Sequence, residues 1–276
     1  MQSRGQVDRR TDVERVTGDA RAEAASGVKS ARRAIALLEV FAADRSWLSL
    51  SDMHDATGFP RSSLHGLLRT LRDAGWIEAD ESGARFRLGV RALICGTAYL
   101  DRDPVMPFVT ETLERLREET GFTVHYARLA GAEVVYLETR ESRTSGHLIS
   151  RVGRTLPAHA TALGKALLAE LSDAELAALL PARLAPLTEH TLTDRDALHD
   201  ELGVVRDRGY ATEREEGTVG LACAAAAVPY RIPATDALSC SMPLERVTEA
   251  EQHRIGAALH EAATLLAMRL RRAGIR

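Results

Sequence analysis

Four leucines decide what the segment around them can fold into. Leu64, Leu67, Leu68 and Leu71 recur at i, i+3, i+4 and i+7. That spacing puts all four on one face of a helix, whereas a strand would split them between its two faces. At about 100° per residue the opposite helical face presents Ser62, His65, Gly66, Arg69 and Asp73, flanked by Arg61 and Arg72. Upstream, the sequence predicts a second short helix after Leu50, with Ser51 as N-cap and Asp52 near the positive end of the helix dipole. Gly58 stops that helix, and Pro60 sits in the first turn of the next, where a missing N–H costs nothing. A helix that is apolar behind and small, polar and basic in front suits insertion into a DNA major groove.

The flanking sequence completes a unit. Before the pair, Ser30 is a plausible N-cap, and Ala34, Ile35, Leu37, Leu38, Phe41 and Ala42 form a helical apolar face. After it, Gly75 ends the leucine-striped helix. Trp76–Ala79 and Arg85–Leu88 then alternate with period two around the turn Asp80-Glu81-Ser82-Gly83. Three helices and a two-stranded wing make a winged helix-turn-helix. Residues 1–27 alternate Arg with acids, show no sustained period and are expected to form a disordered arm.

Residues 28–88 are thus the expected DNA-binding domain, 89–106 a linker helix and its exit, and 107–276 a second domain. Asp103, Pro104 and Pro107 break the chain at that boundary. The remainder alternates helices and strands. A helix over 107–120 ends at Gly121, strands over 122–129 and 133–140 turn at Ala130-Gly131, and an extended stretch covers 146–152. A helix starts near Ala162, and another spans 195–208. Strands follow over 210–214, 221–228 and 236–242, then a final helix over 249–270 with Ile255, Leu259, Ala262 and Leu266 on one face. Ser172–Glu175 and Thr248–Glu251 fit the capping-box pattern. The expected class is α+β: an antiparallel sheet with packed helices, large enough to enclose a ligand.

Composition narrows the function. At 276 residues, 45% apolar and 27% charged, the chain suits two ordinary globular domains. No apolar run reaches the roughly 18 residues of a membrane span, and no secretory segment opens the chain, so a cytoplasmic location is expected. The net charge of −3 does not announce a nucleic-acid binder, yet residues 29–100 are net basic while the rest is neutral or acidic. Cys95, Cys223 and Cys240 are too few and scattered for a disulfide framework and are expected to be reduced thiols.

Taken together, SARRAIALLEVFA, LSLSDMHDATGFPRSSLHGLLRTLRDAGWIE, RFRLGVRAL, LREETGFTVHYARLAGAEVVYLE, SRVGRTLPAHATALGKALLA, VRDRGYATEREEG and LACAAAAV followed by ALSCS resemble the isocitrate lyase regulator (IclR) family of bacterial transcription factors. The resemblance runs from about Val28 to Leu270. It implies a GAF-like second domain that binds a small organic or aromatic acid. It also implies a homodimer or dimer of dimers on a palindromic double-stranded DNA operator, acting as a repressor of catabolic genes. Two-fold pairing has a physical motive too, because one short recognition helix buries too little surface for useful specificity.

The residues expected to meet DNA are Arg61, Ser62, Ser63, His65, Gly66 and Arg69 on the recognition helix, Arg85 and Arg87 on the wing, and Arg32 on the first helix. Serines at a helix start donate to phosphates, and arginines reach phosphate or guanine edges. Two features depart from the family: Gly66 stands where members often carry a basic residue, and Asp73 repels phosphate at the far end of the face. The ligand pocket is expected at Ala160, Thr161 and Ala162 before a helix, Glu213 or Arg214, Cys223, and Ser239 with Ser241 on one strand face. Here Ala222 replaces a usual Arg, the run Ala224 to Ala227 is unusually small, and the VPYRIPATDAL hairpin is short. His159 and Lys165 are expected to be structural. No cofactor, metal site or catalytic residue is expected. The alternatives are an effector-independent or metal-responsive regulator, or a hydrolase built on His159, Cys223 and Glu213. No HExxH, phosphate loop or nucleophile elbow supports an enzyme.

Overall fold

The computed structural model describes residues 27–43, 46–143 and 152–276. The expected arm, apart from Gly27, and the expected extended stretch 146–152, apart from Val152, lie outside the described residues. The chain divides into two compact units between Tyr99 and Leu100.

The first unit contains α1 (Lys29–Ala43), β1 (Leu48–Ser49), α2 (Leu50–Thr57), α3 (Arg61–Asp73), β2 (Ile77–Ala79), β3 (Arg85–Leu88) and most of α4 (Val90–Asp101). The leucine stripe behaves as its spacing requires: Leu64, Leu68 and Leu71 are buried against Leu37, Phe41, Met53 and Ile77, with Leu67 packed on the edge of that cluster. Ile35, placed by periodicity on the inner face of α1, is exposed instead. The helix begins at Lys29, so Ser30 lies inside it rather than capping it.

The cap of α2 also moves. Ser49, not Ser51, is the N-cap: its side chain accepts the Asp52 N–H, and the Asp52 carboxylate accepts the Ser49 N–H in return at 2.8 Å. Hydrogen bonds from the Ser49 N–H and hydroxyl hold the Asp52 carboxyl below the usual carboxylate range. Gly58 supplies the left-handed turn (φ 66°) between α2 and α3. The wing has a third strand, with β1 pairing to β3 at Leu48↔Phe86 and Ser49↔Arg85 in the order β1-β3-β2. Two residues are too few to show a period in sequence.

The second unit is a six-stranded antiparallel sheet of β4 (Thr123–Ala130), β5 (Glu133–Arg140), β6 (Thr155–Pro157), β7 (Ala211–Arg214), β8 (Leu221–Ala227) and β9 (Asp236–Pro243), in the order β6-β5-β4-β9-β8-β7. Helices α5 (Met106–Thr120) and α9 (Glu249–Arg272) cover one face, burying Tyr126, Leu238, Cys240 and Met242. Helices α6 (Ala162–Leu168), α7 (Asp173–Leu179) and α8 (Arg195–Arg208) build a second core on the other face, with Ala127, Tyr136, Ala225 and Ala237.

The alanines of β8 divide by parity. Ala222, Ala224 and Ala226 join the α9 side, and Ala225 joins the α6 side. Small side chains at these positions let helices pack close to the strand. Packing on the α6 side is tight: a Cβ at Gly164 would lie 2.0 Å from the Ala158 carbonyl oxygen. Ser172 and Glu175 form the expected capping box. At α9 only half of that motif forms, because Thr248 accepts the Glu251 N–H while Glu251 pairs with Arg254.

Candidate functional site

The outer face of α3 is open. Arg61, Ser62, His65, Gly66 and Arg69 are all exposed, and the side chains of Arg61, His65 and Arg69 make no hydrogen bond among the described residues. Gly66 answers to nothing inside the chain, since a Cβ there would meet no atom within 4 Å. Its helix cost of about 1 kcal/mol therefore has no internal packing reason. Ser63 is different. It is half-buried, and its hydroxyl accepts a hydrogen bond from Arg33 Nη1 at 2.9 Å, while the same guanidinium lies 5.0 Å from the Phe59 ring centre. Arg32 is exposed at the start of α1. Asp73 is paired with Arg72 at 3.2 Å, which offsets its charge at the far end of the face.

The wing arginines are not equivalent. Arg87 pairs with Glu78, its cross-strand neighbour, at 2.9 Å and stacks over Trp47 at 4.5 Å. The Arg85 side chain is exposed and hydrogen-bonds to no described residue, although Asp52 feels its charge. Of the two, Arg85 is the one available to a phosphate.

In the second unit, strand register assembles a polar floor. Glu213 lies opposite Cys223, Cys223 opposite Ser241, and Ser239 opposite Ala225. Paired residues in adjacent strands share a face, so Glu213, Cys223, Ser239 and Ser241 all point the same way. They line a small cavity with Thr161, Ala162, Leu163, Tyr136, Leu156, Gly217, Thr218 and Leu221. Its interior is about 20 Å³, room for one water molecule. None of the alanines of β8 lines this space.

Six of the eight expected pocket residues meet here. Ala160 does not line the space; it is buried in the 3-10 turn Ala158–Ala160, and its carbonyl lies behind Gly217. Arg214 also does not, because strand alternation turns its side chain to the opposite face, where it donates to Gln252 Oε1 at 2.8 Å. Tyr136, Leu156, Leu163, Gly217, Thr218 and Leu221 were not anticipated. The alternation of β5 offered a signal for Tyr136, but the loop that brings in Gly217 and Thr218 has no periodicity to read.

Glu213 is buried, and its Oε2 accepts the N–H groups of Glu216 at 2.8 Å and Gly217 at 3.4 Å. Burial pushes its carboxyl above the usual range, against the pull of the Cys223 thiol and those N–H groups. The nearby cations are committed elsewhere. Lys165 Nζ donates to Glu216 Oε1 at 2.6 Å, and Glu216 is itself pushed up by burial despite that charge. His159 Nε2 is 3.0 Å from the Ala185 carbonyl, a structural role. Among the described residues no cluster of His, Cys, Asp and Glu could hold a metal.

A second polar cluster went unnoticed in the sequence. Asp236, wholly buried, accepts from Tyr126 OH at 2.8 Å, from Tyr230 OH, and from Arg128 Nε at 2.6 Å and Nη2 at 3.0 Å. Arg128 also pairs with Asp103 at 2.9 Å. The hairpin between β8 and β9 supplies Tyr230.

A winged helix-turn-helix with an open polar face, carried by a chain whose second unit is a sheet-and-helix domain with a small polar cavity, has the architecture of a DNA-binding transcriptional regulator. The family described as the IclR helix-turn-helix domain matches residues 30–81, and that described as the bacterial transcriptional regulator IclR C-terminal matches residues 97–268. The chain belongs to the IclR family of bacterial transcriptional regulators. It is 34% identical over 245 residues to the HTH-type transcriptional regulator XynR of Escherichia coli, covering 88% of this chain and 97% of that one. It is 31% identical over 249 residues to the transcriptional repressor IclR of the same organism, covering 88% and 90%. The fold superposes with a TM-score of 0.72, at 24% identity, on an IclR homologue from Microbacterium hydrocarbonoxydans complexed with 4-hydroxybenzoate, covering 88% of this chain and all of that one. No helix among the described residues is long and apolar enough to cross a membrane.

Proposed function

We propose that this regulator is a cytoplasmic homodimeric repressor, or a dimer of dimers, that binds a palindromic operator of catabolic genes and responds to a small organic or aromatic acid in the second unit. The observation that carries the reading is the open face of α3, where Arg61, Ser62, His65 and Arg69 stand exposed around a glycine that internal packing does not require. Arg85 on the wing, with Arg32, adds phosphate contacts. Arg87 and Ser63 act mainly by positioning, since both are engaged within the unit.

Two further observations support the rest. Helix α4 buries none of its residues, and Val90, Leu93 and Ile94 are each more than half exposed on one of its faces. An apolar face of that kind suits a second copy of the same helix. The cavity gathers hydroxyls from Thr218, Ser239 and Ser241, donors fit for carboxylate oxygens. The homologue that carries an aromatic acid shares this fold.

The test is binding of the purified protein to its own promoter region across a salt series. Sequence-specific binding that falls steeply with salt is expected, and Arg69→Ala should weaken it by about 1–3 kcal/mol if Arg69 reads a base. Ile94→Glu should yield monomers in sedimentation and lose operator affinity. Absence of specific binding at every salt concentration would overturn the reading.

A further inference from the structure

The cavity combines many hydrogen-bond donors with one group that, when ionised, only accepts. Thr218 and Ser239 bring hydroxyls to its lining, beside Thr161, whose hydroxyl caps α6 and lies 3.5 Å from the Ala158 carbonyl, and Ser241, whose hydroxyl lies 3.5 Å from the Cys223 sulfur; no Lys, Arg or His among the described residues lines it. Arg214 faces the other side of the sheet, on Gln252, and Lys165 is bound to Glu216. Glu213 is the one carboxylate among the described lining residues; its Oε2 takes the loop N–H groups of Glu216 and Gly217, and the Cys223 thiol also donates to the carboxylate. A bound carboxylate finds hydroxyl donors here, but it also meets Glu213. A ligand hydroxyl reverses that clash, because it donates to the Glu213 carboxylate while the acid group takes the serine and threonine hydroxyls.

We propose that Glu213 sets the specificity of the cavity by accepting a hydrogen bond from a ligand hydroxyl, so that the effector is a small hydroxy acid or hydroxy-aromatic acid rather than a plain carboxylate. The proposal rests on the effector reading above and narrows its ligand class. A polar acceptor buried in a site and left facing an analogue that cannot donate is costly, which is how such sites reject the analogue. With about 20 Å³ of free interior, the cavity must widen to admit any of these ligands.

The test is titration calorimetry of the full chain at pH 8 with matched pairs: glycolate and acetate, lactate and propionate, 4-hydroxybenzoate and benzoate. The hydroxylated member of at least one pair should bind tenfold or more tightly than its partner. Glu213→Gln, whose amide can donate to a carboxylate, should bring the two members within threefold, and Glu213→Asp should keep the preference. Thermal unfolding and operator binding establish that each variant is folded. Equal binding of the plain acid and its hydroxy partner in every pair that binds, or a preference untouched in Glu213→Gln, overturns the assignment of Glu213 while leaving the effector reading in place. Binding of no member of any pair, by protein that still binds its operator, overturns the effector reading and this assignment with it.

Discussion

Asp236→Ala should be among the most damaging single substitutions in the second unit. The carboxylate is fully buried and takes hydrogen bonds from two tyrosine hydroxyls and from Arg128. Each buried donor left without an acceptor costs about 1–3 kcal/mol, so the two tyrosines alone account for roughly 2–6 kcal/mol. The ion-pair share is smaller than for a sealed pair. Arg128 is 21% exposed and keeps Asp103 at 2.9 Å, so solvent and the second carboxylate both compensate its charge. The contributions overlap rather than add, and about 3–5 kcal/mol is the expected loss, the range for a buried pair deprived of one partner. Urea unfolding of the full chain, followed by circular dichroism, measures it. Tyr230→Phe should cost only about 1 kcal/mol, because its removal leaves Asp236 with three other hydrogen bonds. A loss below about 1 kcal/mol for Asp236→Ala, with an unchanged urea dependence, would refute the idea that this carboxylate is a structural centre.

Three other outcomes follow from the same chemistry. Burial pushes the Tyr230 hydroxyl up to about 12 and the Tyr126 hydroxyl well above 10. The folded state thus holds these protons more tightly than the unfolded chain; their stabilisation is complete below pH 10 and is lost as pH rises through about 12, and Tyr230→Phe should flatten that decline in urea midpoints. Glu213 has the same sign in a lower window: its raised folded value means that its contribution is greatest in acid and fades as pH rises past the ordinary carboxylate range. Glu213→Gln should accordingly stabilise the ligand-free protein at pH 8 by about 0.5–2 kcal/mol, with the gain vanishing near pH 4. Gly164→Ala should abolish or severely lower the cooperative unfolding transition, because its methyl would lie 2.0–2.4 Å from backbone atoms of Ala158, where no side chain can yield.

What the sequence disclosed depended on whether a period or a cap carried the information. The α3 stripe, the helix over 195–208 and the facing serines of β9 were legible because spacing alone sets which face a residue occupies. β1 was not, since two residues show no alternation, and its pairing to β3 is decided by tertiary contact. The Ser49 cap was missed because both Ser49 and Ser51 are competent, and only the partner three residues on distinguishes them. The choice between Glu213 and Arg214 stayed open in the sequence because adjacent strand residues point oppositely and nothing local says which of the two faces α9; it is Arg214. Asp236 gave no signal, because Tyr126, Arg128 and Tyr230 reach it from β4 and from a hairpin whose shape the sequence does not specify.

That hidden cluster bears on the cavity through register. Along β9, Leu238, Cys240 and Met242 face the α9 core while Ser239 and Ser241 face the cavity. A slip of one residue would exchange the two sets, burying serines against α9 and presenting leucine to the ligand. The small side chains of the neighbouring β8, Ala222 through Ala227, resist such a slip weakly, having little shape to interlock. Asp236 opens β9 directly opposite Arg128 on β4, and the bidentate pair between them fixes which residue faces which. Tyr126, two residues before Arg128 on the same face, holds the same carboxylate and repeats the constraint. Asp236→Asn retains an acceptor and most of the packing but loses the charge, so it should weaken this pin without unfolding the unit. Amide hydrogen exchange at Ser239 and Ser241 should then accelerate more than exchange in α9, whose buried face does not depend on the carboxylate. Uniform acceleration across the unit would mean that Asp236 contributes stability alone, and that the register of the cavity floor is set elsewhere.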